Sequence, residues 1–350
     1  MPERVLSTRA LNRALLARQG LLERFNGPLT RALERVGGLQ SQYAPSAYVG
    51  LWSRLAGVRR EDLTTALERR RAVQGTLMRV TIHIVSARDY PLFAAGLRTY
   101  RPRSWMRSFG EELAGVDTAA LAARVRQVLG DGPRKAPEVQ ELLQAEGYPR
   151  RAWQLAGWLV DVVRVPPSGT WERRRADLYA LADDWLGPSD VSEPEGLVHL
   201  VRRYLQGFGP ASLNDLAGWA GVPATALRPV AERLSLRRFR DEHGGELLDV
   251  PRAPLPDPAT RAPVRFLPTW DATLLAHARR TQVLPEEHRP LVFGTKTPHS
   301  APTFLVDGRV AGIWRYERGR VRLDPFDPLP RAARRELEEE SARLAAFHEA

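Results

Sequence analysis

The segment 197–250 constrains the fold more than any other part of this chain, because its breaks and caps fall at the spacing of one compact module. Leu197 to Gln206 has helical periodicity, and Gly207-Phe208-Gly209-Pro210 stops it. Ser212 is placed to cap a second helix running to Trp219, with Asp215 in the first turn where the helix dipole favours an anion. Gly221-Val222-Pro223 makes a turn, and Ala224 to Leu234 reads as a third helix. From Leu236 to Val250 apolar and charged residues alternate around Gly244-Gly245, the pattern of a hairpin. Helix, turn, helix and hairpin wing make the winged-helix plan, in which the third helix or the wing meets DNA.

A second copy is expected at 118–182. Its helices would span Ala119–Leu129, Pro137–Glu146 and Pro149–Val163, and a ribbon over Val165–Leu181 would turn at Pro167-Ser168-Gly169. A looser third copy occupies the N-terminus. Thr8–Ala17 and Pro28–Val36 read as helices, Arg60–Arg71 as an amphipathic helix capped near Asp62, and Met78–Val85 as a strand. Pro251 to Pro263 carries five prolines and little periodicity, the mark of a linker. Beyond it, Val264–Leu267, Pro290–Phe293, Thr303–Val306, Val310–Tyr316 and Val321–Leu323 read as short strands, with Asp307-Gly308 a hairpin turn. A closing helix, Pro330–Phe347, has Glu and Arg at the spacing of a solvated face. The expected fold class is therefore α+β: tandem winged-helix modules at 1–117, 118–190 and 191–250, a Pro-rich linker at 251–263, and a β-rich domain with a C-terminal helix at 264–350.

Charge narrows the partners. Lys and Arg number 52 against 41 Asp and Glu, a formal charge of +11, which favours a polyanion such as nucleic acid. Lys135 and Lys296 are the sole lysines, so the preference for arginine reflects a GC-rich coding habit as well as function. With no cysteine, thiol nucleophiles, disulfides, iron–sulfur clusters and Cys-type zinc sites are excluded. The seven histidines are scattered without metal-site spacing, and no metal or cofactor is expected. No hydrolase elbow, zinc-protease helix or dinucleotide fingerprint is present. Gly294-Thr295-Lys296-Thr297 lacks the glycine that a phosphate loop places before its lysine, and reads as a β-domain loop. The start, Met1-Pro2-Glu3-Arg4, has no apolar signal core, and no apolar run reaches about 18 residues, so a cytoplasmic, nucleoid-associated protein is expected. A monomer is expected as well.

Two amides stand out among the remaining polar residues. In Gly37-Gly38-Leu39-Gln40-Ser41-Gln42-Tyr43, a Gly-Gly break in an Arg-rich helical region delivers two glutamines one residue apart. Amides at such a place can satisfy backbone groups after a helix end, or they can hold a water or read a base edge. Arg79, Thr81 and His83 would share one face of a strand, either near DNA or as a salt bridge and a core histidine. The pairs Arg150-Arg151, Arg237-Arg238 and Arg279-Arg280, together with Arg59-Arg60, are candidates for phosphate contact. Trp270-Asp271 could line a pocket, orient an arginine or close a strand.

These stretches, in this order, resemble the winged-helix DNA glycosylase family related to AlkZ and YcaQ. Gly38 to Gln42 is similar to the family's Gln-x-Gln catalytic motif and is followed by Ala47-Tyr48-Val49-Gly50-Leu51-Trp52-Ser53-Arg54-Leu55. Gly75 to Val85, with Arg79, Thr81 and His83, is similar to its Arg-x-Thr-x-His strand. Leu267-Pro268-Thr269-Trp270-Asp271 and Val306-Asp307-Gly308-Arg309-Val310-Ala311-Gly312-Ile313-Trp314 resemble its C-terminal β-domain, so the likeness covers about residues 4 to 347. In the family the residue between the glutamines is usually small or aliphatic, whereas Ser41 is polar. Relatives nearer YcaQ carry Asp at the second catalytic position, and Gln42 places this chain nearer AlkZ.

The resemblance implies a monofunctional DNA glycosylase, with Gln40 and Gln42 catalytic, acting on alkylated bases in double-stranded DNA and in some members on interstrand crosslinks. A glutamine amide is no base near neutral pH, but two could hold a water beside the anomeric carbon and stabilise an oxocarbenium. Catalysis that weak needs a leaving group already labilised, such as a cationic N7- or N3-alkylpurine. The other reading left open by the residues is a non-catalytic winged-helix DNA-binding protein such as a transcription regulator. The absence of an evident effector domain or dimerisation helix speaks against it. An RNA-binding scaffold would want an aromatic-rich strand motif that is missing here.

Overall fold

The computed structural model describes residues 4–102, 110–294 and 300–350. Thr295, Lys296 and Thr297, in the stretch expected as a β-domain loop, lie outside the described residues, as do Met1, Pro2 and Glu3.

The segment 193–250 has the expected order. Its first helix, Glu193–Phe208, starts four residues earlier than its apolar periodicity, because Ser192 and Glu195 form a reciprocal capping box. Leu213–Ala220 follows with the same box built from Ser212 and Asp215, and Ala224–Arg233 is the third helix. Arg237–Asp241 and Glu246–Asp249 make the antiparallel hairpin. A bridge from Ala211 to Leu248 ties the turn between the first two helices to that hairpin. Val5–Leu6 extends the same sheet in parallel, with Leu6 beside Asp241.

The segment 118–182, expected as a second copy, is less regular. Thr118–Gly130, Ala136–Ala145 and Ala152–Leu159 are helical. The third ends at Leu159 rather than near Val163, and Val162–Arg164 pairs instead with Leu178–Leu181, leaving 165–177 as a long loop rather than a ribbon. Toward the N-terminus, Thr8–Arg18, Leu29–Val36, Ala44–Arg54 and Arg60–Glu68 are helices. The strand expected over Met78–Val85 is shorter. Met78–Val80 forms a 3-10 turn, and the strand proper is Ile82–Ser86, hairpinned to Ala72–Thr76. Leu39–Gln40, the 72–86 hairpin, Val162–Arg164, Leu178–Leu181 and Arg134–Lys135 join in one six-stranded sheet.

Near the C-terminus, Arg265–Leu267, Thr303–Val306, Arg309–Glu317 and Arg320–Pro325 form a four-stranded antiparallel sheet. The stretch Pro290–Phe293, expected as a strand, is instead a short helix, Arg289–Val292, with Pro290 in its first turn, where the absent N–H is no loss. Arg331–Glu349 is not solvated all round. Ala333, Leu337, Leu344 and Phe347 are buried, and with them Glu340, which pairs with Arg24 and Arg343.

The proline-rich stretch 251–263 has no helix or strand, yet several of its carbonyls accept from arginines. Arg9 Nε donates to Pro258 O at 2.8 Å, Arg13 Nε to Thr260 O at 2.7 Å, and Arg18 Nη2 to Pro254 O at 3.0 Å. Arg9 and Arg13 also pair with Asp307 of the C-terminal sheet. The largest apolar core draws on Leu15, Val73, Val163, Leu200 and Leu267 together, so these elements share one interior.

Candidate active site

The glutamine stretch leaves the helix Leu29–Val36 through Gly37, in the left-handed region at φ 75°. Gly38 follows at φ 85°, and a Cβ there would meet Val85 Cγ1 at 2.7 Å. Only glycine allows the chain to turn and lie this close to the strand Ile82–Ser86. Leu39 and Gln40 then pair antiparallel with Ile84 and His83.

Both amides are pinned by donors. Arg79 Nη2 donates to Gln40 Oε1 at 2.8 Å, and the Ile82 backbone N–H donates to Gln42 Oε1 at 2.7 Å. The Ser41 N–H donates to Ile82 O at 2.7 Å, so the Gln42 amide takes the ladder place of the next backbone carbonyl. Each Oε1 is thereby identified by its donor, and each Nε2 is left without an acceptor among the described residues. Gln40 is buried and Gln42 exposed. Polar Ser41 fits because its buried Oγ accepts from Gln74 Nε2 at 3.1 Å.

Arg79 does not share a strand face with Thr81 and His83. It lies in the 3-10 turn with φ 48°, and Val80 beside it has φ 65°. Two successive non-glycine residues in that region cost about 1–3 kcal/mol each and persist where packing over-determines them. Here Thr81 closes the turn on Met78 O through both its N–H and its hydroxyl. Gly221 backs the turn closely, since a Cβ on it would stand 3.3 Å from the Arg79 backbone. Arg79 Nη1 also donates to Trp219 O at 3.2 Å. The guanidinium thus joins the helix Leu213–Ala220 to Gln40, and burial lowers its pKa to about 10, leaving it charged at neutral pH.

His83 is buried across the ladder from Gln40, and its Nδ1 lies 3.0 Å from Thr81 O, which fixes the N–H there. Its Nε2 is buried with no partner among the described residues. Burial, and then Arg79, push its pKa down to about 3, so the ring is neutral. Since this lies below the usual unfolded value of about 6.5, His83 contributes stability above that pH which is lost as the pH falls toward 3. Between about pH 6 and 4, His83→Gln should make unfolding free energy less steep by about 1.4 kcal/mol per pH unit. Denaturant midpoints at several pH values check this, and equal slopes in both proteins would refute a buried neutral imidazole.

The other candidates separate. Asp271 is buried in an ion pair with Arg54 at 2.7 Å and caps the turn Ala272–Leu274 through the Thr273 N–H. It orients an arginine and is not free to act as a base. Trp270, next to it, is half-buried with φ 62°. Arg237 pairs with buried Asp249, Arg238 with Glu246, and Arg151 with Glu112. Arg280 lies 4.7 Å over the Phe293 ring. Arg59 pairs with Asp62, while Arg60 covers Trp171 and donates to His348 O. Arg150 and Arg279 are exposed, with no ion pair among the described residues. In a salt titration of duplex affinity, Arg150→Ala and Arg279→Ala should each make the log–log slope shallower by about 1, and Arg238→Ala should change it less. Equal changes in all three would refute this ranking.

Among the described residues no three His, Asp or Glu side chains are grouped to hold a metal ion, and no helix is long and apolar enough to cross a membrane. Sequence reasoning missed the aromatic cleft beside Tyr43, whose walls come from separate parts of the chain and leave no local pattern.

The chain as a whole has counterparts among known proteins. The family described as DNA glycosylase AlkZ-like matches residues 33–347. A curated relative, the interstrand DNA cross-link repair glycosylase of Streptomyces sahachiroi, is 24% identical over 360 residues, covering 94% of this chain and 93% of the relative. The solved structure of the DNA glycosylase AlkZ of Streptomyces sahachiroi superposes with a TM-score of 0.83 at 19% identity, over 99% of this chain and 98% of that one. The chain thus belongs with enzymes that cut base–sugar bonds. The chain is a member of the AlkZ-like DNA glycosylase family. That membership favours an enzyme over the non-catalytic regulator.

Proposed function

We propose that this glycosylase hydrolyses the N-glycosidic bond of cationic N7- or N3-alkylated purines in duplex DNA, including interstrand crosslinks, as a monofunctional enzyme at the nucleoid. The observation that carries the reading is the anchoring of both glutamine carbonyls, by Arg79 and by the Ile82 N–H, which holds the two amide groups in place. The cross-link repair relative supports the crosslink half.

In the proposed reaction the C1′–N bond breaks first, and its electron pair neutralises the departing alkylpurine. A water donating to the second lone pairs of the Gln40 and Gln42 carbonyls then bonds to C1′ and gives a proton to solvent. Neither amide takes up a proton, so their contribution is orientation and the field of their carbonyl dipoles on the cationic sugar. Such a site serves labile, charged lesions and leaves neutral bases such as uracil intact.

Incubation with duplex containing N7-methylguanine should release free base. No release from it, nor from duplexes with bulkier N7 adducts or a crosslink, overturns the reading. Duplex affinity should fall with salt at a log–log slope near −5, as expected for about six neutralised phosphates.

A further inference from the structure

One residue beyond Gln42 a cleft of about 410 Å³ opens, within the size range of small-molecule sites. Aromatic rings make part of its walls, beside three prolines and the charged Arg315 and Glu317. Tyr43 is 45% exposed at its mouth, and Trp171 stands edge-on to the His348 ring at 5.1 Å. Tyr316 stacks on His348 at 4.1 Å with the rings 17° apart. Arg174 sits at the rim, donating to the Tyr43 hydroxyl at 2.8 Å and lying over both the Tyr43 and Trp171 rings.

Two residues lining this cleft, Ser46 and His348, each carry a buried polar atom with no partner among the described residues, Ser46 Oγ and His348 Nε2. Unmatched buried polar groups are uncommon and call for a partner. Burial, with Arg60 and Arg174 nearby, pushes the His348 pKa down to about 4, so the ring is a neutral hydrogen-bonding edge. Aromatic walls with two unmatched polar atoms fit a flat ring that has heteroatoms on its rim. Arg174 would sit against a flanking phosphate.

We propose that this cleft binds the heteroaromatic arm of a bulky N7-purine adduct while the glutamine pair addresses the sugar. The proposal rests on the glycosylase reading above and deepens it, since it assigns the residues that would select bulky lesions over a methyl group. An N7 substituent projects into the major groove, so the arm can reach the cleft beside Tyr43 without the cost of unstacking the base.

The test compares two duplexes of one sequence, with N7-methylguanine or N7-(quinolinylmethyl)guanine, by kcat/KM for base release. The native enzyme should favour the quinolinylmethyl lesion about tenfold or more, a typical gain from one stacked ring. Tyr43→Ala should reduce that ratio at least fivefold. His348→Phe keeps the stack, and should instead erase the preference for quinolinylmethyl over its carbocyclic analogue. A native ratio near one, or a Tyr43→Ala loss equal for both lesions, overturns the proposal; the second result would mean that the cleft takes the base itself. If the native protein releases neither lesion, the glycosylase reading fails. The same ratios, then taken from dissociation constants by fluorescence anisotropy, decide the cleft.

Discussion

Replacing both glutamines, Gln40→Ala with Gln42→Ala, is expected to slow release of N7-methylguanine by about 10²–10³-fold, the usual loss when preorganised dipoles are removed from a developing charge. The two positions should not contribute alike. Gln42 is exposed, and its loss returns the Ile82 N–H to water. Gln40 is buried and holds the Arg79 guanidinium, so Gln40→Ala also frees a cation beside a reaction whose transition state is cationic. Gln42→Ala is therefore the cleaner chemical probe, and Gln40→Ala the larger single loss. Single-turnover release with saturating enzyme separates chemistry from binding. Duplex affinity of the double variant should stay near native, while its stability falls by about 1–3 kcal/mol because buried Arg79 loses an acceptor. A double variant that releases base at the native rate would remove these amides from the mechanism.

The largest stability effect is expected at Asp249. Its carboxylate is fully buried and bidentate with Arg18, at 2.7 and 3.0 Å, and it also accepts from Arg237. Arg18 in turn donates to Leu205 O and Pro254 O. Asp249→Ala leaves the Arg18 guanidinium buried without its counter-charge, and such losses cost about 3–5 kcal/mol. Chemical denaturation measures it. Combining Asp249→Leu with Arg18→Met should recover much of the loss, because the pair's own net contribution is small once its desolvation is counted. A loss below about 1 kcal/mol in the single variant would contradict the burial of this pair.

Much of the scaffold was legible because local chemistry and tertiary structure agree. Ser212-Asp215 and Gly221 mark the helix Leu213–Ala220 in sequence and in space, and Asp307-Gly308 marks its hairpin. Helix ends were less legible. Leu159 ends its helix because Val162–Arg164 finds a partner strand sixteen residues or so further along, which no local propensity reveals. Met78–Val85 alternates like a strand, yet Arg79 and Val80 turn left-handed under the packing of Gly221, a contact made across more than a hundred residues. The glutamines were visible through the Gly-Gly break and the family likeness, whereas the Arg79 contact and the cleft were not. Both are assembled from distant segments.

The arginines of the first helix bear on how the molecule is made. Arg9, Arg13 and Arg18 fasten residues near the start of the chain to Pro254, Pro258, Thr260 and Asp307, and Val5–Leu6 takes its place only beside Arg237–Asp241. During synthesis the N-terminal helix leaves the ribosome long before its partners exist. Its arginines stay hydrated until about 230–300 residues have followed, and contacts of such span are slow to form. The contacts of this helix are therefore among the last to close, and they cannot be complete before Asp307 has been made.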